Sequence, residues 1–390
     1  MGRISKNQII EKYKKEFISN FDESIFSTTL APGRINIIGE HTDYNLGLAM
    51  PTAINRWICS IVSQRSDNKI NILASNFNKY VSVDIDSLNY SEKSWEKYIF
   101  GCIKIFVDEF GIDRGFNILV GGNIPIGFGM SSSAALEVSL LSSLMNAAGI
   151  LYDSPKLLEL SNRVEHNYLN IKSGLLDQYA SVYSKLNKAL LIDFSDMSHT
   201  YIDMNIKGSS WLLVNSMISR KLVDSKYNER VEECNDALKY INNLFNADLQ
   251  MNEINSHHLS EMKIMGNNDI AYRRLHHINS ENRRVMDMCE ALITGNPSFI
   301  GEILNESHDS LSRNYDISCN EIDSIINISR NQAGFYGGRI MGGGFGGCTI
   351  NLVENSQIDI FSSNLKKEFY NIYNYTIKTE KIQPSSGIKG

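Results

Sequence analysis

The chain has 390 residues, of which 42% are hydrophobic and 21% charged, and its formal net charge is −6. This composition is globular, not disordered, and the length calls for two domains or one large α/β unit. A mildly acidic chain without a Lys/Arg run offers no electrostatic footprint for nucleic acid, and no apolar run approaches the length of a membrane span.

The opening segment, MGRISKNQIIEKYKKEF, is charged throughout and lacks the apolar core of a signal peptide; Lys6 stands where a myristoylation signal needs Ser or Thr. Six cysteines, at 59, 102, 234, 289, 319 and 348, form no C-x-x-C pair or metal-like cluster and read as separate reduced thiols. A cytoplasmic protein is expected. Nothing suggests a coiled coil or an exposed apolar helix, so a monomer is expected as well.

Further along, 57–64 and 69–75 read as strands, 95–110 as a helix, and 116–120 as a strand running into GGNIPIGFGM. Val138, Leu141, Met145 and Ala148 give 131–149 helical spacing. A helix starts at Ser154-Pro155, with Ser as N-cap, and carries Leu157, Leu160, Val164 and Tyr168 on one stripe. Another begins near Leu175. Strands follow at 189–194 and 211–217, then a helical region from about 226 to 332, a glycine-rich loop feeding a strand (339–353), and a last helix near 357–371. The seam lies at about 200–208. The expectation is an α+β protein of two lobes, 1–205 and 206–390, with the glycine-rich loops meeting in the cleft between them.

Three stretches concentrate glycine: 33–47, 121–129 and 337–347. Such loops occur where backbone turns sharply or comes close to a ligand. The first reads APGRINIIGEHTDYN at 31–45, a short apolar strand followed at once by Glu40, His41, Thr42, Asp43, Tyr44 and Asn45, with Arg34 just upstream. A solvated turn explains part of that crowd; a sugar or phosphate site explains all of it. Carboxylates accept from vicinal hydroxyls and imidazole can donate or accept, so Glu40, His41 and Asp43 suit a ring of hydroxyls.

The second stretch ends a strand, turns at Pro125, Gly127 and Gly129, and opens a helix with Ser131, Ser132 and Ser133. A helix N-terminus has unsatisfied N–H groups and a partial positive charge, which suits phosphate. It is no Walker A loop, because Gly-Lys-Ser/Thr is absent. It is no dinucleotide fingerprint either, because Ser132 holds the third glycine position. Alone, it reads equally as a Ser-rich N-cap.

Together APGRINIIGEHTDYN, GGNIPIGFGMSSSAALEVS and GGRIMGGGFGGCTINLV resemble the three motifs of the GHMP small-molecule kinases, and the first resembles the signature of their galactokinase branch. SGLLDQYAS at 173–181, SKYNERVEEC at 225–234 and RRLHHINSENRRV at 273–285 extend the likeness from about residue 28 to the end. The resemblance implies a two-lobed fold with a mixed-sheet N-terminal lobe and a ferredoxin-like C-terminal lobe. It implies phosphorylation of the anomeric hydroxyl of galactose by ATP with Mg²⁺. Arg34, Glu40, His41, Thr42, Asp43, Gly174, Asp177 and Tyr227 would meet the sugar, with Asp177 and Arg34 catalytic. Gly127, Phe128, Gly129, Met130, Ser131, Ser132 and Ser133 would cradle the phosphates. Ser133 and Glu165 would hold the metal, and 342–347 would shape the floor between substrate and nucleotide. His276 and His277 receive no role.

The chain departs from the family pattern at Lys172-Ser173, where Cys usually precedes the glycine of Gly174, and at Met130, where Leu is usual. Two alternatives share the motifs: a kinase for a related sugar such as N-acetylgalactosamine, and a non-catalytic galactose sensor. The known yeast sensor lacks a Ser-Ala pair that stands intact here within Ser131–Ala135.

Overall fold

The computed structural model describes residues 5–388 apart from 24, 89–93, 126, 172, 219–222 and 266–267, with the side chains of 94 and 223–225 also undescribed. Lys172 therefore lies outside the described residues.

The chain begins with helix α1 (Lys6–Phe21), closed by a Ser5/Gln8 capping box. Its Ile9, Tyr13 and Phe17 recur every four residues and pack on Leu30, Trp57, Cys59, Ile61 and Leu119. This helix is absent from the sequence-based reading, because its buried stripe is only one residue wide among Lys and Glu. Next come β1 (Ser27–Asn36), β2 (Leu48–Ala49), β3 (Pro51–Gln64), β4 (Lys69–Ala74), β5 (Lys79–Asp84), α2 (Ser94–Phe110), β6 (Phe116–Gly122), α3 (Ser132–Ala147), α4 (Ser154–Arg163), α5 (Leu176–Tyr183), β7 (Lys188–Asp193) and β8 (Ser198–Asp203).

Five of these strands form a mixed sheet in the order β1-β3-β6-β4-β5, in which only β4 and β6 run parallel. Strand β3 shows why the sheet has two buried faces. Trp57, Cys59 and Ile61 face α1, while Ile54, Ile58 and Val62 face the larger core beneath α3. A second sheet has the order β2-β7-β8. The N-cap of α4 is Asp153, not Ser154: its carboxylate accepts from Lys156 N at 2.9 Å, and Pro155 occupies the first turn.

The second half comprises β9 (Ser209–Asn215), α6 (Val223–Phe245), α7 (Ser256–Met265), α8 (Asp269–Thr294), α9 (Pro297–Arg313), α10 (Asn320–Arg330), β10 (Phe335–Met341), β11 (Cys348–Glu354), α11 (Ile358–Tyr373) and β12 (Lys378–Ile382). The helical region expected over 226–332 is thus five helices. Strands β10-β11-β9-β12 form an antiparallel sheet, the second, third, first and fourth strands of a ferredoxin-like unit. The chain then returns to the first sheet, where Ser385 N donates to Ala53 O at 2.7 Å. The largest apolar core accordingly draws on residues from Ala31 to Ile382.

Candidate active site

The segment after β1 leaves the sheet at Gly39, whose φ of +87° an L side chain rarely adopts. His41 is also left-handed, at φ +62°. Residues from the far end of the chain hold this loop in shape. On one face of α8, Glu281 accepts from Gly39 N at 3.0 Å, His277 Nε2 lies 3.2 Å from Glu40 O, and Asn282 accepts from Leu48 N at 2.9 Å. From β10, Arg339 is fully buried and donates to Asn36 O (2.6 Å), Ile37 O (2.9 Å) and Glu40 Oε1 (3.1 Å).

Glu40 Oε1 also accepts from Gly342 N at 2.8 Å. Burial alone would raise the Glu40 carboxyl, but Arg339, Arg34 and the Gly342 N–H hold it below the ordinary carboxylate value. Thr42 does not face the cavity: its hydroxyl donates to Leu48 O at 2.7 Å and lies 3.0 Å from Gly39 O, which tightens the loop.

A cavity of about 400 Å³ opens beside this loop, lined by Arg34, Glu40, His41, Asp43, Glu165, Gly174, Asp177, Tyr227, Gly342 and Gly343 among others. Seven of the eight residues expected to meet the sugar are therefore gathered here, Thr42 being the exception. Asp43 and Gly174 touch so closely that a Cβ on Gly174 would fall 1.9 Å from Asp43 Oδ2. Asp43 keeps some accessible surface, yet the protein encloses its carboxyl. Burial, then Asp177 and Glu40, push it up to about 7. The His41 ring lies 5.2 Å from that of Tyr227 and 4.8 Å from that of Tyr315. Burial drives this imidazole down to about 3, helped by His277 and Arg230 against the pull of Glu40. Its Nε2 has no hydrogen-bond partner among the described residues, while the nearby Gly343 backbone favours the charged ring.

A second cavity of about 300 Å³ adjoins the first and is lined by Gly127, Gly129, Met130, Ser131, Ser132, Ser133, Gly342 and Gly343 among others. It sits at the N-terminus of α3, where the first-turn N–H groups have no helical partner. Phe128 and Met130 bury their side chains in the core, so only backbone there can face a phosphate. Ser131 is left-handed (φ +53°) and does not cap the helix, its hydroxyl donating instead to Asp177 Oδ2. Past Gly343, Gly344 packs on Ile317 and Gly346 on Ile218, so only the start of 342–347 floors the cavities.

The two cavities share Arg34, Asp177, Gly342 and Gly343. Arg34 spans the junction: Nε and Nη2 lie 2.7 and 2.6 Å from Asp177 Oδ1, and Nη1 donates to Gly129 O at 2.8 Å. Behind them lies a carboxyl cluster. Glu165 sits in a π-helical turn, Val164–Tyr168, closed by Leu169 N donating to Val164 O at 3.0 Å. Ser173 Oγ donates to Glu165, and burial raises the Glu165 carboxyl despite that bond. Glu137, fully buried on α3, accepts from Gln178 Nε2 at 3.0 Å, while its Oε1 has no partner among the described residues. Burial and then Glu165 raise Glu137 well above the ordinary value.

Sequence reasoning passed over Arg339, His277, Glu281 and Glu137. A signal existed for the α8 pair: His277 and Glu281 fall at i and i+4 of a helix, on one face.

Three family models match the chain: the galactokinase galactose-binding signature over residues 13–64, the GHMP kinases N terminal domain over 97–185, and GHMP kinases C terminal over 288–371. A galactokinase of Clostridium tetani is 34% identical over 382 residues, covering 96% of this chain and 96% of its own length. One of Clostridium perfringens is 34% identical over 370 residues, covering 93% of this chain and 94% of its own. Among solved structures, the galactokinase of Lactococcus lactis complexed with galactose superposes with a TM-score of 0.90 at 29% identity, over 98% of this chain and 99% of its own. A mevalonate kinase, at TM-score 0.64 and 19% identity over 93% and 100%, shares the fold. The α+β architecture built above is that of the GHMP kinases, and the chain belongs to the galactokinase family.

Proposed function

We infer that the chain transfers the γ-phosphoryl group of ATP to the anomeric hydroxyl of D-galactose, giving galactose 1-phosphate and ADP at the entry to galactose metabolism. The observation that carries this reading is the Arg34–Asp177 pair, which stands where the hydroxyl-reading cavity meets the cavity at the α3 N-terminus.

Phosphoryl transfer is largely positioning plus electrostatic stabilisation of a loose transition state. Glu40, His41, Asp43 and Tyr227 read sugar hydroxyls, with Gly174 leaving room for Asp43. Asp177 orients the C1 hydroxyl and takes its proton late, as the C1 oxygen bonds to the γ-phosphorus and the bond from phosphorus to the β–γ bridging oxygen breaks. A carboxylate is a far weaker base than an alkoxide, which favours late transfer over prior ionisation of the hydroxyl. Arg34 faces the transferred group. The α3 N–H groups and Ser131–Ser133 hold the remaining phosphate oxygens.

The oxygen donors suit Mg²⁺. Ser133 lies in the first turn of α3, Glu165 carries a raised carboxyl, and the orphaned Glu137 Oε1 lies in the same acidic cluster. No three His, Cys, Asp or Glu side chains converge as a cage among the described residues, in keeping with an ion held by one or two protein oxygens plus phosphates. Ser133 and Glu165 would hold it, and when bound it neutralises charge on the β- and γ-phosphates.

We read the two lobes as dividing at 205/206, since the ferredoxin-like sheet lies wholly beyond that point. We further read a monomer working in the cytoplasm. The six free thiols fit a reducing compartment, and no described helix is long and apolar enough to cross a membrane. An ADP-release assay with galactose and N-acetylgalactosamine tests the function. Turnover of galactose is expected, and no turnover with any aldose at millimolar concentration would sink the enzyme reading.

A further inference from the structure

Behind the sugar cavity four polar side chains run in a line through the core. His41 Nδ1 lies 2.7 Å from Tyr44 Oη; Tyr44 Oη lies 2.8 Å from Tyr315 Oη; Tyr315 Oη lies 3.0 Å from Cys234 Sγ. Tyr315 and Cys234 are fully buried. The chain spans four elements of structure: the loop after β1, the turn at Asp43–Asn45, the segment after α9, and α6. Beyond packing, such a line can carry a direction, because each hydroxyl donates one hydrogen.

Asn45 sets that direction. Its Nδ2 donates to His41 O at 2.7 Å, which fixes the amide orientation, since the amide oxygen would meet that carbonyl lone pair to lone pair. The other Nδ2 hydrogen then points at Tyr315 Oη (3.5 Å) and Cys234 Sγ (3.8 Å). Two arrangements remain. If His41 carries its proton on Nδ1, that proton goes to Tyr44, Tyr44 donates to Tyr315, and Tyr315 donates to the thiol. The sulfur, a weak acceptor, then takes the strong donor, and the S–H is left without an acceptor among the described residues. In the reverse arrangement the S–H donates to Tyr315, Tyr315 to Tyr44, and Tyr44 to Nδ1. Every hydrogen within the line is used, the best acceptor in it, the imidazole nitrogen, receives a phenol, and the Nε2–H is left facing the sugar cavity, where a substrate hydroxyl can accept it. An unmade buried hydrogen bond costs more than a made one gains, so the second arrangement wins.

We propose that Cys234, Tyr315 and Tyr44 form a directional hydrogen-bond relay that fixes His41 as the Nε2–H tautomer, so that His41 acts as a donor to the sugar. Tyr44, Tyr315 and Cys234 are positioning residues: they reach the substrate only through His41. The site thereby pairs one obligate donor with the acceptors Glu40 and Asp43. The proposal rests on the galactose reading above, and its test separates the two.

The direct measurement is ¹⁵N correlation spectroscopy of the histidine rings in the intact protein at pH 6–8, with the His41 signals identified by their loss in His41→Asn. A protonated Nε2 and an unprotonated Nδ1 are expected; a protonated Nδ1 overturns the relay even if the chain turns over galactose normally. Tyr44→Phe keeps the ring and removes the relay's last hydroxyl. A rise of about tenfold in galactose KM, with kcat within about twofold, is expected from one lost hydrogen bond. Cys234→Ser retains a donor to Tyr315 and should match wild type in both constants, whereas Cys234→Ala should raise KM. Equal KM for Cys234→Ala and wild type overturns the directional argument. Failure of the wild-type chain to phosphorylate galactose would instead remove the sugar reading and leave the tautomer measurable.

Discussion

Arg34 and Asp177 stand 143 positions apart in the chain and meet at 2.6 Å, with Ser131 bonded to the second oxygen of the same carboxylate. One carboxylate is thus gripped by β1 from one side and by the start of α3 from the other. It has little freedom left except toward the cavity.

Asp177→Asn keeps the shape of that arrangement and removes the carboxylate's capacity to take a proton. Turnover should fall by roughly 10²–10⁴-fold, the usual range for a lost proton acceptor. Galactose binding by calorimetry should survive. Near-wild-type turnover would remove Asp177 from the reaction.

Arg339→Met leaves Glu40 buried beside three backbone carbonyls that have lost their donor. Breaking a buried charge pair by removing one partner costs about 3–5 kcal/mol. Urea unfolding should show a loss of that order without a change in slope, and the galactose KM should rise in the fraction that stays folded.

Asp43 governs the pH response of sugar binding. With its carboxyl pushed up to about 7, only about one molecule in ten is ionised at pH 6 and about nine in ten at pH 8. A carboxylate that accepts from sugar hydroxyls binds in its ionised form, so the galactose KM should be about tenfold higher at pH 6 than at pH 8. Asp43→Asn should flatten the profile, and an unchanged slope in that variant would assign it elsewhere. The same group acts on folding with the opposite sense. From its unfolded value of 3.8 up to about 7 the folded chain holds a proton that the unfolded chain has lost, so stability falls as pH rises through that window.

Gly174→Ala places a methyl where Asp43 Oδ2 now sits, at 1.9 Å. Either the carboxylate or the 173–175 backbone must move. The galactose KM should increase at least tenfold, since even a displacement of about 1 Å at a reacting site can cost two orders of magnitude. The KM for ATP should change little, because Gly174 lines only the sugar cavity.

The parts of this site that the sequence reveals are those written locally. GEHTDYN and the Ser131–Ser133 run announce their chemistry because several polar groups follow glycines within one loop. Side-chain direction inside such loops is not written locally. Phe128 and Met130 alternate into the core while the glycines beside them face the cavity, and Thr42 turns back on its own loop. Helix α1 hides for a related reason, its three buried residues being outnumbered by the charges of its wet face. Least visible are Arg339, His277 and Glu281, whose partners in the sugar-reading loop lie more than two hundred positions away. The helical spacing of His277 and Glu281 puts them on one face of α8 but does not say what that face holds.

That separation has a bearing on how the protein comes into being. Gly39 waits for Glu281, 242 positions later, and Glu40 for Gly342, 302 positions later. During synthesis, the ribosome must deliver the chain through Gly342 before the sugar-reading loop can close. A nascent or prematurely ended chain exposes that loop without its struts. Galactose should therefore stabilise only chains in which Glu281 and Gly342 have reached the loop, and substrate present during translation would favour those chains over shorter ones.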